Sequence, residues 1–277
     1  MIDGADKAIQ YLRDQGKKLY FVTNSSGRSR QGLVDKFAKL GITIYEHEAF
    51  PSGFTTAVYL RKQHPEITKV YMIGEQGFKD QLTGYDDGSG VKIEVVGGPE
   101  ETGISMTHEE YETYPIDPEI GAVVVGYDLN ISYRKICMGN LYLQQGCKFI
   151  ASNNDKYDMI RCNIDGKIIN RPIPTTGPVL DTLEYTSGQT PVVCGKPSSE
   201  VFSLICSVAG IKAEEKDKCI MIGDRITTDI QMAHNVGIDS ALVLTGCNSV
   251  EDLDKPSENP NLIKPTYVFD SLNSFAS

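Results

Sequence analysis

Three places along the 277-residue sequence put hydroxyl, amine or carboxylate side chains directly after a short apolar run. Residues 18–22 are followed by Thr23, Asn24, Ser25 and Ser26; residues 191–194 by Gly195, Lys196 and Pro197; residues 219–222 by Gly223, Asp224 and Arg225, with Asp229 further on. Open parallel sheets bind ligands at the carboxyl ends of their strands, so these are the positions where chemistry is expected. A hydroxyl with free backbone amides between a strand and a helix suits a phosphate. Gly195 lets the backbone turn and Pro197 pre-sets the first helical φ, which aims Lys196 at the strand ends as a compact charge. Carboxylates at a strand end and on the first turn of the next helix suit a hard cation such as Mg2+, one bound directly and one through water. Each run also has a plain local reading. Ser and Asn are favoured helix N-caps, a Lys is ordinarily a surface residue, and Asp224 with Asp229 favours a helix dipole. The three runs together, in this order, point to phosphate and cation chemistry.

Positioning these residues takes an alternation of helices and apolar strands. The spacing of Ala5, Ala8, Ile9 and Leu12 predicts a helix over 5–15, stopped by Gly16 and feeding a strand over 18–23. Helices over 31–39 and 52–61 come next, the second closed by Pro65. Strands are expected at 70–73, 91–96, 122–125 and 149–151, with helices at 76–83 and 133–145. Late strands at 191–194, 219–222, 241–244 and 267–269 enclose helices at 200–209 and 227–236. Such alternation implies a parallel α/β sheet. The runs 18–23 and 219–222, apolar on both faces, are expected to lie centrally in it. Residues 84–90 and 97–118 read as surface loops on an inserted domain, and 251–265, with three prolines, as a loop.

Composition narrows the partners. With 27 Lys+Arg against 37 Asp+Glu the net charge is -10, a field that repels a polyanion and argues against nucleic acid as a partner. A small anionic substrate is still allowed, because one Lys, one cation and a helix N-terminus reverse the sign locally. No apolar run approaches the roughly 18 residues a bilayer requires, so no membrane partner is expected. The first residues lack the basic start and apolar stretch of a secretory signal, which makes a cytoplasmic location the default. Seven Cys, an odd number with no CxxC pair, read as reduced thiols rather than as a disulfide framework or zinc knuckle.

The ordered set resembles the haloacid-dehalogenase superfamily of phosphatases, in the large-cap branch that includes p-nitrophenyl phosphatases and phosphoglycolate phosphatases. VTNSS at 22–26 is similar to its second motif, GKP at 195–197 to its third and GDRITTDI at 223–230 to its fourth. IDGADKAIQYLRDQGKK at 2–18, VVGYD at 124–128 with Tyr133 beyond it, and FIASNND at 149–155 agree with that branch. The resemblance spans residues 1–275. It implies a Rossmann-like parallel-sheet core over 1–65 and 191–277, with an α/β cap inserted over 66–190. By it Thr23, Asn24 and Ser25 bind the phosphoryl group, Lys196 neutralises it and the attacking carboxylate, Asp224 binds Mg2+ and Asp229 supports the metal. The implied reaction is hydrolysis of a small phosphorylated metabolite through an aspartyl-phosphate. Phosphoglycolate, pyridoxal phosphate and aryl phosphates such as p-nitrophenyl phosphate are all open, since the cap loops around 127–133 and 153–165 hold no diagnostic residue. Caps of this kind often pair, so the resemblance also admits a homodimer through the cap.

The family's first motif is an apolar strand ending in DxDG, whose first Asp is the nucleophile and whose second is the acid/base. No such segment occurs in the sequence. The sole D-x-D is Asp252 with Asp254, in a charged stretch; Asp86 and Asp87 lie in a glycine-rich turn, and two residues before Asp3 stands Met1. The core is therefore expected to lack its first strand and to leave the runs 18–23 and 219–222 with unpaired edges, the 277 residues by themselves to be inactive and to fold poorly, and the sequence to be a fragment of an enzyme. A non-catalytic phosphate- or metal-binding scaffold is the competing expectation.

Overall fold

The computed structural model describes residues 2–254 and 263–276. In chain order its first half contains α1 (Ala5–Asp14), β1 (Phe21–Thr23), α2 (Arg30–Ala38), β2 (Ala49–Pro51), α3 (Ser52–Gln63), β3 (Lys69–Ile73), α4 (Gln76–Gly84), β4 (Glu94–Gly97), α5 (His108–Glu112) and β5 (Ala122–Val125). Then come α6 (Tyr133–Gln144), β6 (Lys148–Ala151), β7 (Tyr157–Ile164), β8 (Lys167–Pro174), α7 (Thr176–Ser187) and β9 (Val192–Val193). The last part holds α8 (Ser199–Ala209), β10 (Ile220–Gly223), a π-helical turn (Ile226–Ile230), α9 (Gln231–Val236), β11 (Asp239–Val243), α10 (Glu251–Asp254) and β12 (Tyr267–Phe269). The chain divides into two compact units, one formed by Met1–Phe21, Val34–Ala49 and Lys196–Ser277, the other by Val22–Leu33 and Phe50–Gly195.

The second unit is built on a five-stranded sheet of order β4-β3-β5-β6-β9 in which every pair is parallel. Its central strand β5 reads Ala-Val-Val-Val and is buried throughout, as a strand covered on both faces requires. Alternate residues of β3, β5 and β6 (Tyr71 and Ile73, Val123 and Val125, Phe149 and Ala151) share one face and pack with Met138, Tyr142 and Leu143 of α6 and Leu180 and Leu183 of α7. The loop after β5 is tied to α6 by a fully buried ion pair, Lys135 Nζ to Asp128 Oδ2 at 2.6 Å. Strands β7 and β8 form an antiparallel hairpin closed by Asp165 (φ 51°) and Gly166 (φ 79°). A D-G turn between Ile-rich runs is a hairpin signal, one that the loop reading of 153–165 passes over.

In the first unit β10, β11 and β12 form a parallel three-stranded sheet. Ile226 and Ile230 of the π-helical turn pack on Leu242 of β11, flanked by Leu244, Leu253 and Ile263. Helix α1 buries Ala5, Ala8 and Ile9, and its Arg13 grips Glu48 with two bonds of 2.6 Å.

Several expectations are corrected. The run 219–222 would be central only beside a first strand: without one, β10 is an edge strand of its sheet and Ile220 is 42% exposed, as expected of a core lacking that strand. The run 18–23 contracts to β1, three half-buried residues paired with β2. Apolarity on both faces shows what a strand tolerates, whereas its neighbours decide its burial. The helix expected over 227–236 begins as the π-helical turn and becomes α-helical only from Gln231. Pro197 lies in a turn, and α8 starts two residues later behind its N-cap Ser198, whose hydroxyl accepts from Glu200 N–H. The stretch 97–118 contains a 3-10 turn (Gly98–Glu101) and α5. Of the loop expected over 251–265, residues 251–254 form α10 and 255–262 lie outside the described residues.

Candidate active site

In the first unit β10 ends at Gly223, and the chain turns through Asp224 and Arg225 into the π-helical turn that carries Asp229. That turn carries Asp229 back over the strand end. A Cβ on Gly223 would overlap the Asp229 carboxylate, so this approach requires glycine there. Asp229 is 4% exposed and both its oxygens are engaged: Oδ1 accepts from Lys196 Nζ at 2.6 Å and Oδ2 from Arg225 N–H at 3.1 Å. Lys196, itself 8% exposed, is thus held by a carboxylate 33 residues downstream. A buried ammonium needs such a partner. Asp224 is half-buried, and its Oδ2 accepts from Cys247 N–H at 2.9 Å.

In the second unit β1 leads into Thr23, Asn24 and Ser25, all half-buried, and the fully buried Ser26. Thr23 Oγ1 accepts from Ser25 N–H at 3.3 Å, an arrangement that leaves its hydroxyl proton free to be donated. Two part-buried contacts pin this loop from the ends of β6 and β5. Asn153 Nδ2 donates to Asn24 O at 2.8 Å, and Ser26 Oγ accepts from Tyr127 N–H at 2.8 Å. Thr55 Oγ1 donates to Cys194 O at 2.6 Å, fixing the end of β9 just before Gly195.

The structure brings together Lys196, Asp229 and Arg225, and it places Thr23, Asn24 and Ser25 on one pinned loop. Asp229, expected to support the metal, has both its oxygens on Lys196 and Arg225 N–H. Asn153, Cys247 and Asn248 were given no role by sequence reasoning, and Arg225 was named in its run without one. The signal for three of them was present, since FIASNND after β6 and Thr245–Ser249 (TGCNS) beyond β11 are polar runs beyond apolar strands, the rule applied elsewhere. Among the described residues no group of three or more His, Cys, Asp or Glu is placed to hold a metal. Mg2+ needs less, as it is commonly bound by one or two carboxylates with waters and substrate phosphate, and Asp224 at a strand end fits that donor set.

A family model described as haloacid dehalogenase-like hydrolase matches residues 1–86, and one described as HAD-hydrolase-like matches residues 193–275. Phosphoglycolate phosphatase 1A, chloroplastic, of Arabidopsis thaliana is 32% identical over an alignment covering 100% of this chain and 72% of that protein. The 4-nitrophenylphosphatase of Schizosaccharomyces pombe is also 32% identical, over 99% of this chain and 87% of the relative. Among solved structures, a p-nitrophenyl phosphatase from Archaeoglobus fulgidus superposes with a TM-score of 0.78 at 27% identity, covering 100% of this chain and 91% of that one.

Proposed function

The chain belongs to the haloacid dehalogenase-like hydrolases, in their p-nitrophenyl and phosphoglycolate phosphatase branch of small-phosphomonoester phosphatases, and from that premise we propose how its own residues serve the reaction. The α/β fold with parallel sheets and an inserted cap is that of the family. We take the core as 1–65 and 191–277 and the cap as 66–190. Thr23 donates its hydroxyl proton to a phosphoryl oxygen, the Asn24 amide adds a donor, and Ser25, whose N–H is given to Thr23 Oγ1, contributes its hydroxyl. Lys196 neutralises the phosphoryl charge while Asp229 keeps the ammonium oriented. Phosphoryl transfer depends on such positioning and charge neutralisation. Phosphatases of this family use Mg2+, and Asp224 is the residue that would hold it here; the cation supplies further neutralisation of the phosphoryl oxygens. The observation that carries the reading is the buried Lys196–Asp229 pair at 2.6 Å, beside the strand end that bears Asp224.

The covalent step requires a nucleophilic carboxylate, and the carboxylates of Asp252, Asp86 and Asp87 are otherwise engaged. Asp252 Oδ2 accepts from Asn248 Nδ2 and from the N–H and hydroxyl of Ser249. Asp86 accepts from Gly88 N–H, and Asp87 from Ser89 and Arg61. The 277 residues alone are therefore proposed to bind phosphate and Mg2+ without turnover. The same observation favours a second reading, a non-catalytic phosphate- and metal-binding protein; an in-frame DxDG upstream of Met1 in the transcript would decide for the enzyme. The seven cysteines, none of them in a disulfide, fit a reducing, cytoplasmic compartment, and no helix among the described residues is long and apolar enough to cross a membrane.

The test of the binding reading is thermal unfolding with and without Mg2+. Millimolar Mg2+ raises the melting temperature of the wild type by mass action, and Asp224→Asn removes most of the rise. Equal shifts in both proteins reject Asp224 as the cation's residue.

A further inference from the structure

The segment beyond β11 crosses directly over Asp224. The parallel register sets Gly223 beside Leu242, so the chain leaving β11 emerges next to the end of β10. There it makes three bonds to the Asp224 turn. Cys247 N–H donates to Asp224 Oδ2 at 2.9 Å, Asn248 N–H donates to the Asp224 backbone carbonyl at 3.1 Å, and Asn248 Oδ1 accepts from Ile226 N–H at 2.8 Å. The last bond caps the first amide of the π-helical turn, a donor with no partner inside that turn. Asn248 is itself fixed, because its Nδ2 donates to Asp252 Oδ2 at 3.2 Å, the oxygen that also receives Ser249 N–H at 2.9 Å. Arg225 Nη2 reaches Cys247 Sγ at 3.3 Å and closes the arrangement from the other side. Gly246 makes the crossing sterically feasible: a Cβ there would overlap Asp224 Oδ2.

We propose that residues 246–248 act as a clamp on Asp224, with Asn248 as a positioning residue that sets both the affinity for Mg2+ and its preference over Ca2+. The inference rests on Asp224 being the cation's residue, as proposed above. One carboxylate oxygen and the backbone of Asp224 are held by amides, so the rest of the carboxylate is presented in a fixed direction. Mg2+ demands near-ideal octahedral geometry, whereas Ca2+ accepts a range of ligand directions and distances. Loosening the clamp therefore costs Mg2+ more than Ca2+. Groups that orient a metal-binding carboxylate typically matter by 10- to 100-fold in affinity, on the order of what is expected here.

The experiment is isothermal titration of the full 277-residue protein with MgCl2 and with CaCl2, alongside Asp224→Asn, Asn248→Ala and Gly246→Ala. Asn248→Ala is expected to raise the Mg2+ dissociation constant about tenfold and the Ca2+ constant much less, narrowing the ratio between them. Gly246→Ala, which disturbs the clamp without touching Asn248, is expected to narrow it likewise and serves as the deciding variant if Asn248→Ala does not fold. A purely structural role would lower the metal-free melting temperature and leave the Mg2+ to Ca2+ ratio as in the wild type, and that result overturns the clamp. If instead Asp224→Asn binds Mg2+ as the wild type does, the assignment of Asp224 itself fails, and the clamp with it.

Discussion

Lys196 and Asp229 hold one another in a site from which water is largely removed, and the energetics of such a pair are asymmetric. Removing one partner leaves an uncompensated buried charge, a loss of about 3 to 5 kcal/mol, whereas removing both is far milder. Asp229→Asn and Lys196→Met are therefore each expected to lower urea-unfolding stability by about 3 kcal/mol, and the double variant by clearly less than their sum. Additive losses would mean that the 2.6 Å bond is not a coupled pair in solution. Asn153 poses a simpler case. Its amide satisfies the Asn24 carbonyl, so Asn153→Ala should cost about 1 to 3 kcal/mol and weaken the melting-temperature rise produced by orthophosphate. An unchanged phosphate response would place Asn153 outside the phosphate loop's support.

The hairpin β7–β8 is the element least explained by its own unit. Tyr157, Met159, Ile160, Ile164, Ile168 and Ile169 are all exposed on it, Ile168 to 58%. One face of its ladder carries Asp158, Ile160, Cys162 and Ile164 opposite Ile173, Arg171, Ile169 and Lys167. With Asp158 at the base and Lys167 at the tip, a second copy laid antiparallel on this face matches opposite charges, the self-complementarity a two-fold dimer needs. Such a patch on a two-stranded hairpin favours association. Sedimentation velocity should show a concentration-dependent dimer that Ile160→Lys with Ile169→Asp disperses; a monomer at all concentrations refutes the pairing. A second element-level device is the bond from α1 to Glu48. Burial raises the Glu48 carboxyl, but the Arg13 guanidinium and the Tyr45 amide outweigh it and hold the carboxyl below its ordinary range. A carboxyl depressed on folding contributes stability above its unfolded value of about 4.3 and loses that contribution as pH falls through the lower folded value. Glu48→Gln should therefore flatten the acid limb of the stability profile below about pH 4.3 while lowering stability at neutral pH.

At the scale of the molecule, the proposed reading predicts binding without turnover. Asp252 is held by hydrogen bonds in α10, and Asp86 and Asp87 by hydrogen bonds in a glycine-rich turn. The 277-residue protein should hydrolyse p-nitrophenyl phosphate no faster than buffer containing Mg2+. Measurable turnover that Asp224→Ala abolishes would show that another carboxylate of this chain attacks, and would leave the family assignment intact. The exposed side of β10 belongs to the same scale. An apolar strand with an open edge is a template for further pairing, and net charge of -10 is what opposes aggregation through it.

The sequence by itself determined the α/β alternation, the bounds of α1, β5, α6 and β12 to within a residue, and the strand-end positions of Thr23, Asn24, Lys196 and Asp224. These are local matters of hydrophobic period, helix stops and the polar residues at the end of an apolar run. Tertiary structure alone decided that Asp229 pairs with Lys196, because a contact spanning 33 residues depends on how a π-helical turn folds back over Gly223. It also decided that Asn153 supports Asn24 across 129 residues and that the segment beyond β11 closes over Asp224. Sequence spacing carries no information about such partners, since hydrogen bonds between distant segments are set by sheet order and register.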